Sequence, residues 1–75
     1  MAKYNGHRNY NAWNVSLWIN NDEMLYRMAR SMCINEGIGA AATRLFDMYL
    51  SGKKTGDGVP YTRTNVRLAL RGILS

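Results

Sequence analysis

The stretch NYNAWNVSLWINNDE, residues 9–23, decides the fold, because its apolar side chains fit two periods at once. Trp13, Val15, Leu17 and Ile19 alternate as they would along a half-buried strand. Tyr10, Trp13 and Leu17, with Asn14 and Trp18, recur instead at the three- and four-residue spacings of a helix. The strand reading puts Trp18 on the polar face beside Asn14, Ser16 and Asn20, which leaves a large apolar ring in water. A helix lets both tryptophans turn largely inward, and Asn9 or Asn11 supplies an N-cap for backbone N–H groups that have no partner in the first turn. The spacing predicts a helix over about 11–20; the period alone leaves a strand over 12–19 open.

Outward from this segment the boundaries become clearer. Asn20, followed three residues later by Glu23, has the form of a capping box with Asn in place of the usual Ser or Thr, and Asp22 and Glu23 put negative charge at the positive end of a new helix. Leu25, Met28, Ala29 and Met32 then share one face, which predicts a second helix over 21–33. Gly37 and Gly39 bracket Ile38 and interrupt the pattern. A third helix is predicted over 40–51, with Ala42, Leu45, Phe46, Tyr49 and Leu50 on one side and Gly52 as its left-handed terminal residue. SGKKTGDGVP, residues 51–60, reads as an exposed, mobile loop. Beyond Pro60, Thr62 or Thr64 caps a last helix over 63–74, whose buried stripe is Val66, Ala69, Leu70, Ile73 and Leu74. The fold class is all-α: a compact small bundle of three to four short helices, packed antiparallel through short connections, in a single domain 1–75 with a loose arm at 1–8.

Composition narrows the class of function. Seventy-five residues hold one core, and 47 % hydrophobic with 20 % charged residues lies well away from disordered composition. Ten Lys plus Arg against five Asp plus Glu leave a net charge of +5, a field that attracts acidic protein surfaces, nucleic acid or anionic lipid. The single Cys33 makes no internal disulfide and fits a reducing, cytoplasmic compartment. No signal-peptide core and no run near the roughly 18 apolar residues of a membrane span is present, so the chain reads as soluble, a monomer or weak dimer. The five methionines fill core space or form an adaptable face.

Catalysis has little to stand on: His7 is the lone histidine, in the arm, and Cys33 ends a helix without an evident base. One His, one Cys and five scattered carboxylates make no ligand set at a metal-binding spacing, so no metal, no cofactor and no enzymatic activity are expected. The glycines at 52, 56 and 58 open no helix and form no phosphate loop. The organised signal is basic. Arg63, Arg67 and Arg71 lie at i, i+4 and i+8, flanking the apolar stripe of the last helix with no acidic residue between them. Their planar forks suit carboxylate or phosphate; the same row also reads as the solvated flank of an amphipathic helix. Lys53 and Lys54 in the preceding loop, and Arg27 and Arg30 on the second helix, are candidates to extend the patch. Tyr10, Trp13 and Trp18 offer rings that either stack on single-stranded bases or belong to the core.

From Tyr4 to Tyr26 the chain resembles a group of short proteins encoded by phages and other bacterial mobile elements, whose pattern runs Y-N-G-x-x-N-Y-x-T-W-N-V-x-L-W-I-x-N-D-E-x-L-Y. Ala12 stands where threonine is common in that group. The resemblance implies a mobile-element setting in a bacterial host. With the small size and the lack of catalytic equipment, similarity to anti-CRISPR proteins implies an inhibitor that binds a type I surveillance complex. It would dock basic residues on acidic effector subunits and block target DNA binding sterically. The alternative is a small nucleic-acid-binding regulator that uses the arginine row of its last helix.

Overall fold

The computed structural model describes residues 10–74. The expected arm at 1–8, with His7, and the capping role of Asn9 lie outside them. Four α-helices follow one another: α1 Tyr10–Asn21, α2 Glu23–Glu36, α3 Ile38–Leu45 and α4 Arg63–Leu74. A π-helical turn, Phe46–Leu50, continues α3 directly. The only β-type pairing among the described residues is an isolated antiparallel bridge between Lys54 and Pro60. The protein is a small all-α bundle.

The ambiguous segment is a helix because burial follows the helical period. Ala12, Val15, Ser16 and Ile19 all turn inward, an arc that no strand alternation produces. Asn11 falls inside the helix rather than at its cap. Burial of both tryptophans, as expected from the sequence, holds only in part. Trp13 is half-buried and meets the Tyr10 ring at a tilt of 42° with ring centroids 5.7 Å apart, but Trp18 keeps 38 % of its surface exposed. Its position is one step round the helix from the buried arc, and its ring lies against the 51–60 loop instead of the core.

The second helix starts differently from its expected capping box. Asp22 is the N-cap, with Oδ1 accepting the Leu25 N–H at 3.0 Å, while the Asn20 amide donates back to the Ser16 carbonyl at 2.8 Å inside α1. Asn20 therefore belongs to the last turn of α1 and Asp22 begins the next helix, since α1 runs through Asn21 and leaves a single linking residue. The helix also continues past 33 to Glu36, where Gly37 turns the chain at φ 88 and ψ 160, a conformation open in practice only to glycine. The Gly37 carbonyl then accepts from the Ala41 N–H at 3.0 Å, so α3 starts at Ile38 and Gly39 lies within it. The break expected at both glycines occurs at one.

A π-turn explains the other departure. Tyr49, expected on the buried side, is 41 % exposed, whereas Leu45 and Leu50 are both buried. The Ser51 N–H reaches the Phe46 carbonyl at 2.7 Å, five residues back, so the wider turn places i+5 rather than i+4 beneath Leu45. Gly52 follows at φ 76, as its terminal position requires. Thr62, not Thr64, caps α4, its Oγ1 accepting the Asn65 N–H at 3.0 Å.

Helix α4 touches all three other helices. Its Val66, Ala69 and Leu70 are fully buried, with Ile73 packed at the margin of the core. Opposite them lie Ala29, Cys33, Ala41 and Ala42, small side chains that let helix axes approach closely. Leu45 and Leu70 supply much of the volume; each contributes about 1.5–3 kcal/mol by leaving water. Met28 and Met32 pack against the core, as core filling requires, whereas Met24 and Met48 are exposed.

Candidate anion-binding groove and the loop clamp

Of the seven basic residues singled out from sequence, the fold brings four together as two separate pairs, Arg63 with Arg67 and Arg27 with Arg30. Arg63 and Arg67 line a groove of about 310 Å³ between α3 and α4, with Gly39, Ala42, Thr43 and Thr64 completing its walls. Gly39 and Ala42 keep the floor low, the two threonines bring hydroxyls, and the first turn of α4 directs its positive dipole end to the same region. The unpaired Arg67 guanidinium and the two threonine hydroxyls are groups that suit an oxyanion, carboxylate or phosphate, while Arg63 lines the same groove paired to Asp47. Arg71 continues the row one turn beyond.

The three arginines differ in their partners. Arg63, read from sequence as unpaired, donates to Asp47 on the π-turn at 2.8 Å, with its guanidinium 5.0 Å from the centre of the Phe46 ring. A carboxylate sixteen residues away closes this pair, which no local spacing announces. Arg67 and Arg71 form no ion pair among the described residues. Arg27 pairs with Glu23 on its own helix, and with Arg30 it lines a separate depression along α2 beside Tyr26 and Ile34. That depression shares no lining residue with the groove. Lys53 and Lys54 are exposed and line neither; their backbones pair with Tyr61 and Pro60 in the loop.

A polar cluster that sequence reasoning did not assemble holds the 51–60 loop. Asn14, fully buried in α1, donates from Nδ2 to Asp57 Oδ2 at 2.7 Å and accepts at Oδ1 from the Thr55 hydroxyl at 2.7 Å. The Trp18 indole N–H donates to the same Asp57 oxygen at 3.0 Å. Thr55 Oγ1 in turn accepts the N–H groups of Asp57 and Val59, each at 3.2 Å, and the Thr55 N–H closes the turn on the Val59 carbonyl at 2.8 Å. The loop expected to be mobile is thus anchored through buried Thr55 and Val59, although its lysines and glycines face water. Gly56 passes so near the Trp18 ring that a Cβ there would lie 2.2 Å from the ring edge.

The electrostatics follow the contacts. The Trp18 N–H, and after it the Asn14 amide, hold the Asp57 carboxyl below the usual carboxylate range. Burial pushes the Cys33 thiol up, which suppresses its thiolate and its reactivity. Burial also raises the Tyr61 hydroxyl, with the charge of Asp22 adding to it. No group of three or more His, Cys, Asp or Glu gathers as a metal site among the described residues, and none of their helices is long and apolar enough to cross a membrane. Asn14 carried the one available sequence signal for the clamp: a polar side chain among the apolar residues of the first helix.

Comparison with known proteins places the whole chain in one family. The chain belongs to a family of unknown function (DUF7249), whose model matches residues 1–74. No curated protein and no solved structure matches it.

Proposed function

We propose that this member of a family of unknown function works by binding rather than by catalysis, seating an acidic surface of a host protein complex in the α3/α4 groove and along Arg71. The observation that carries this reading is the convergence of Arg63 and Arg67 over Gly39 and Ala42, with Arg67 and Arg71 left without a carboxylate among the described residues. Like charges one turn apart, about 6 Å along the axis, cost helix stability, and an anionic partner relieves that cost. Joined to the mobile-element resemblance of residues 4–26, the reading is an inhibitor of a bacterial defence system. An anti-CRISPR protein that blocks DNA binding by a type I surveillance complex in the host cytoplasm fits best.

The test is retention of purified effector subunits by the tagged protein, repeated with Arg67→Glu/Arg71→Glu. Both side chains are exposed, so the double variant is expected to keep its helical signal and melting temperature while losing the partner. Full retention by the folded double variant rules the groove out. A nucleic-acid reading is favoured by the same two hydroxyls and two guanidiniums, which suit phosphate equally. It requires a gel shift that weakens steeply between low and moderate salt; no shift at low salt eliminates it.

A further inference from the structure

The chain holds five carboxylates, and three of them are matched to arginines: Glu23 to Arg27, Glu36 to Arg44 and Asp47 to Arg63. The other two, Asp22 and Asp57, have no basic partner among the described residues, and both stand beside Trp18. Among the described residues of this protein of net charge +5, this is the one place where carboxylates stand without a basic partner. It is also concave. Trp18, Asn21, Asp22, Leu25 and Tyr61 line a notch of about 350 Å³ where the end of α1, the start of α2 and the residue after Pro60 meet. The ring of Trp18 is held by its N–H bond to Asp57 at 3.0 Å and by the close approach of Gly56 to its six-membered ring, while 38 % of the residue remains exposed.

We propose that this notch is a docking site for a basic side chain, arginine or lysine, of a partner protein. A cation over an indole face is attracted by the ring's quadrupole, and more so when a second aromatic and a carboxylate complete the site. Tyr61 supplies the second ring. Asp22 supplies the charge, since capping α2 occupies Oδ1 with the Leu25 N–H and leaves the carboxylate exposed. Leu25 gives the aliphatic stem of the incoming side chain an apolar wall. The notch shares no lining residue with the α3/α4 groove, so the protein offers two contacts of opposite sign, and this one stands whether or not the groove binds an acidic surface.

The experiment follows the indole N–H resonances of the full chain by NMR at low salt, titrating the peptide acetyl-Gly-Arg-Gly-Arg-Gly-amide and its citrulline counterpart. The Trp18 resonance is expected to move saturably with the arginine peptide and to stay in place with citrulline, while Trp13 serves as the internal control. Asp22→Asn keeps a good N-cap and removes the charge, so it is expected to weaken the titration about three- to tenfold with unchanged thermal stability. Equal shifts with citrulline, equal movement of Trp13, or full affinity in Asp22→Asn overturns the proposal. A Trp18 shift that depends on protein concentration without peptide, and vanishes in Arg67→Glu/Arg71→Glu, overturns it in favour of a second copy of the chain.

Discussion

Asn14 sits in the middle of α1 with no exposed surface, and both ends of its amide are used across a sequence gap of more than forty residues. A buried amide so placed fixes the position of the loop more sharply than an apolar residue would, because only one orientation satisfies donor and acceptor together. Asn14→Ala leaves the Thr55 hydroxyl without its acceptor and opens a cavity, so urea denaturation is expected to show a loss of about 2–4 kcal/mol. Asn14→Asp is the sharper probe: it sets a buried carboxylate against Asp57, and its stability deficit is expected to be largest at neutral pH and to shrink on acidification. Asp57 itself has a folded-state value held below its unfolded one. Its contribution is therefore present above the unfolded value of about 3.9 and lost as pH falls through the folded value beneath it. The stability difference between the wild type and Asp57→Asn is expected to be constant from neutral pH to about pH 5 and to vanish in stronger acid. A difference that grows on acidification would contradict the clamp.

At the scale of elements, the joints between helices separate what residue identity specifies from what neighbours specify. The α1/α2 junction offers two acceptable caps, Asn20 and Asp22, and the chain uses the second. Asp22→Ala is expected to cost about 1 kcal/mol in thermal or urea unfolding, against no more than about 0.5 kcal/mol for Asn20→Ala. The reverse order would restore the capping box. Three helices were legible because their apolar residues repeat at helical spacing, the first stayed open to a strand over 12–19 by period alone, and the last lies where Val66 and Leu70 placed it. Residue-level ends were less legible: Gly37 and Gly39 look alike in sequence, but only one must adopt a positive φ. The π-turn was not legible at all, since Leu45, Tyr49 and Leu50 fit an α-helical stripe until Leu50 is drawn beneath Leu45. Among the candidate arginines, Arg63 and Arg67 were found by their four-residue spacing. The pairing of Arg63 with Asp47 had no local signature.

For the whole molecule, one core cluster runs through all four helices, and Cys33 lies inside it at 3 % exposure. Burial pushes its thiol up as well as covering it, so reaction with a disulfide reagent at neutral pH is expected to be slow in the native protein. The rate should rise with denaturant along the global unfolding curve; fast labelling under native conditions would place Cys33 outside the core. The sequence by itself determined the basic excess and the order and approximate places of the helices, with the first left open between helix and strand by its period, because periodicity, caps and composition are local quantities. Only the tertiary structure decided what Arg63 and Arg67 share a groove with, that the glycine-rich loop is clamped by Asn14 and Thr55, and that Trp18 lines a notch with Asp22 and Tyr61. The clamp and the notch join residues distant in the chain, and the groove sets two arginines of α4 against Gly39, Ala42 and Thr43 of α3; these proximities come from packing between elements, which no local pattern encodes.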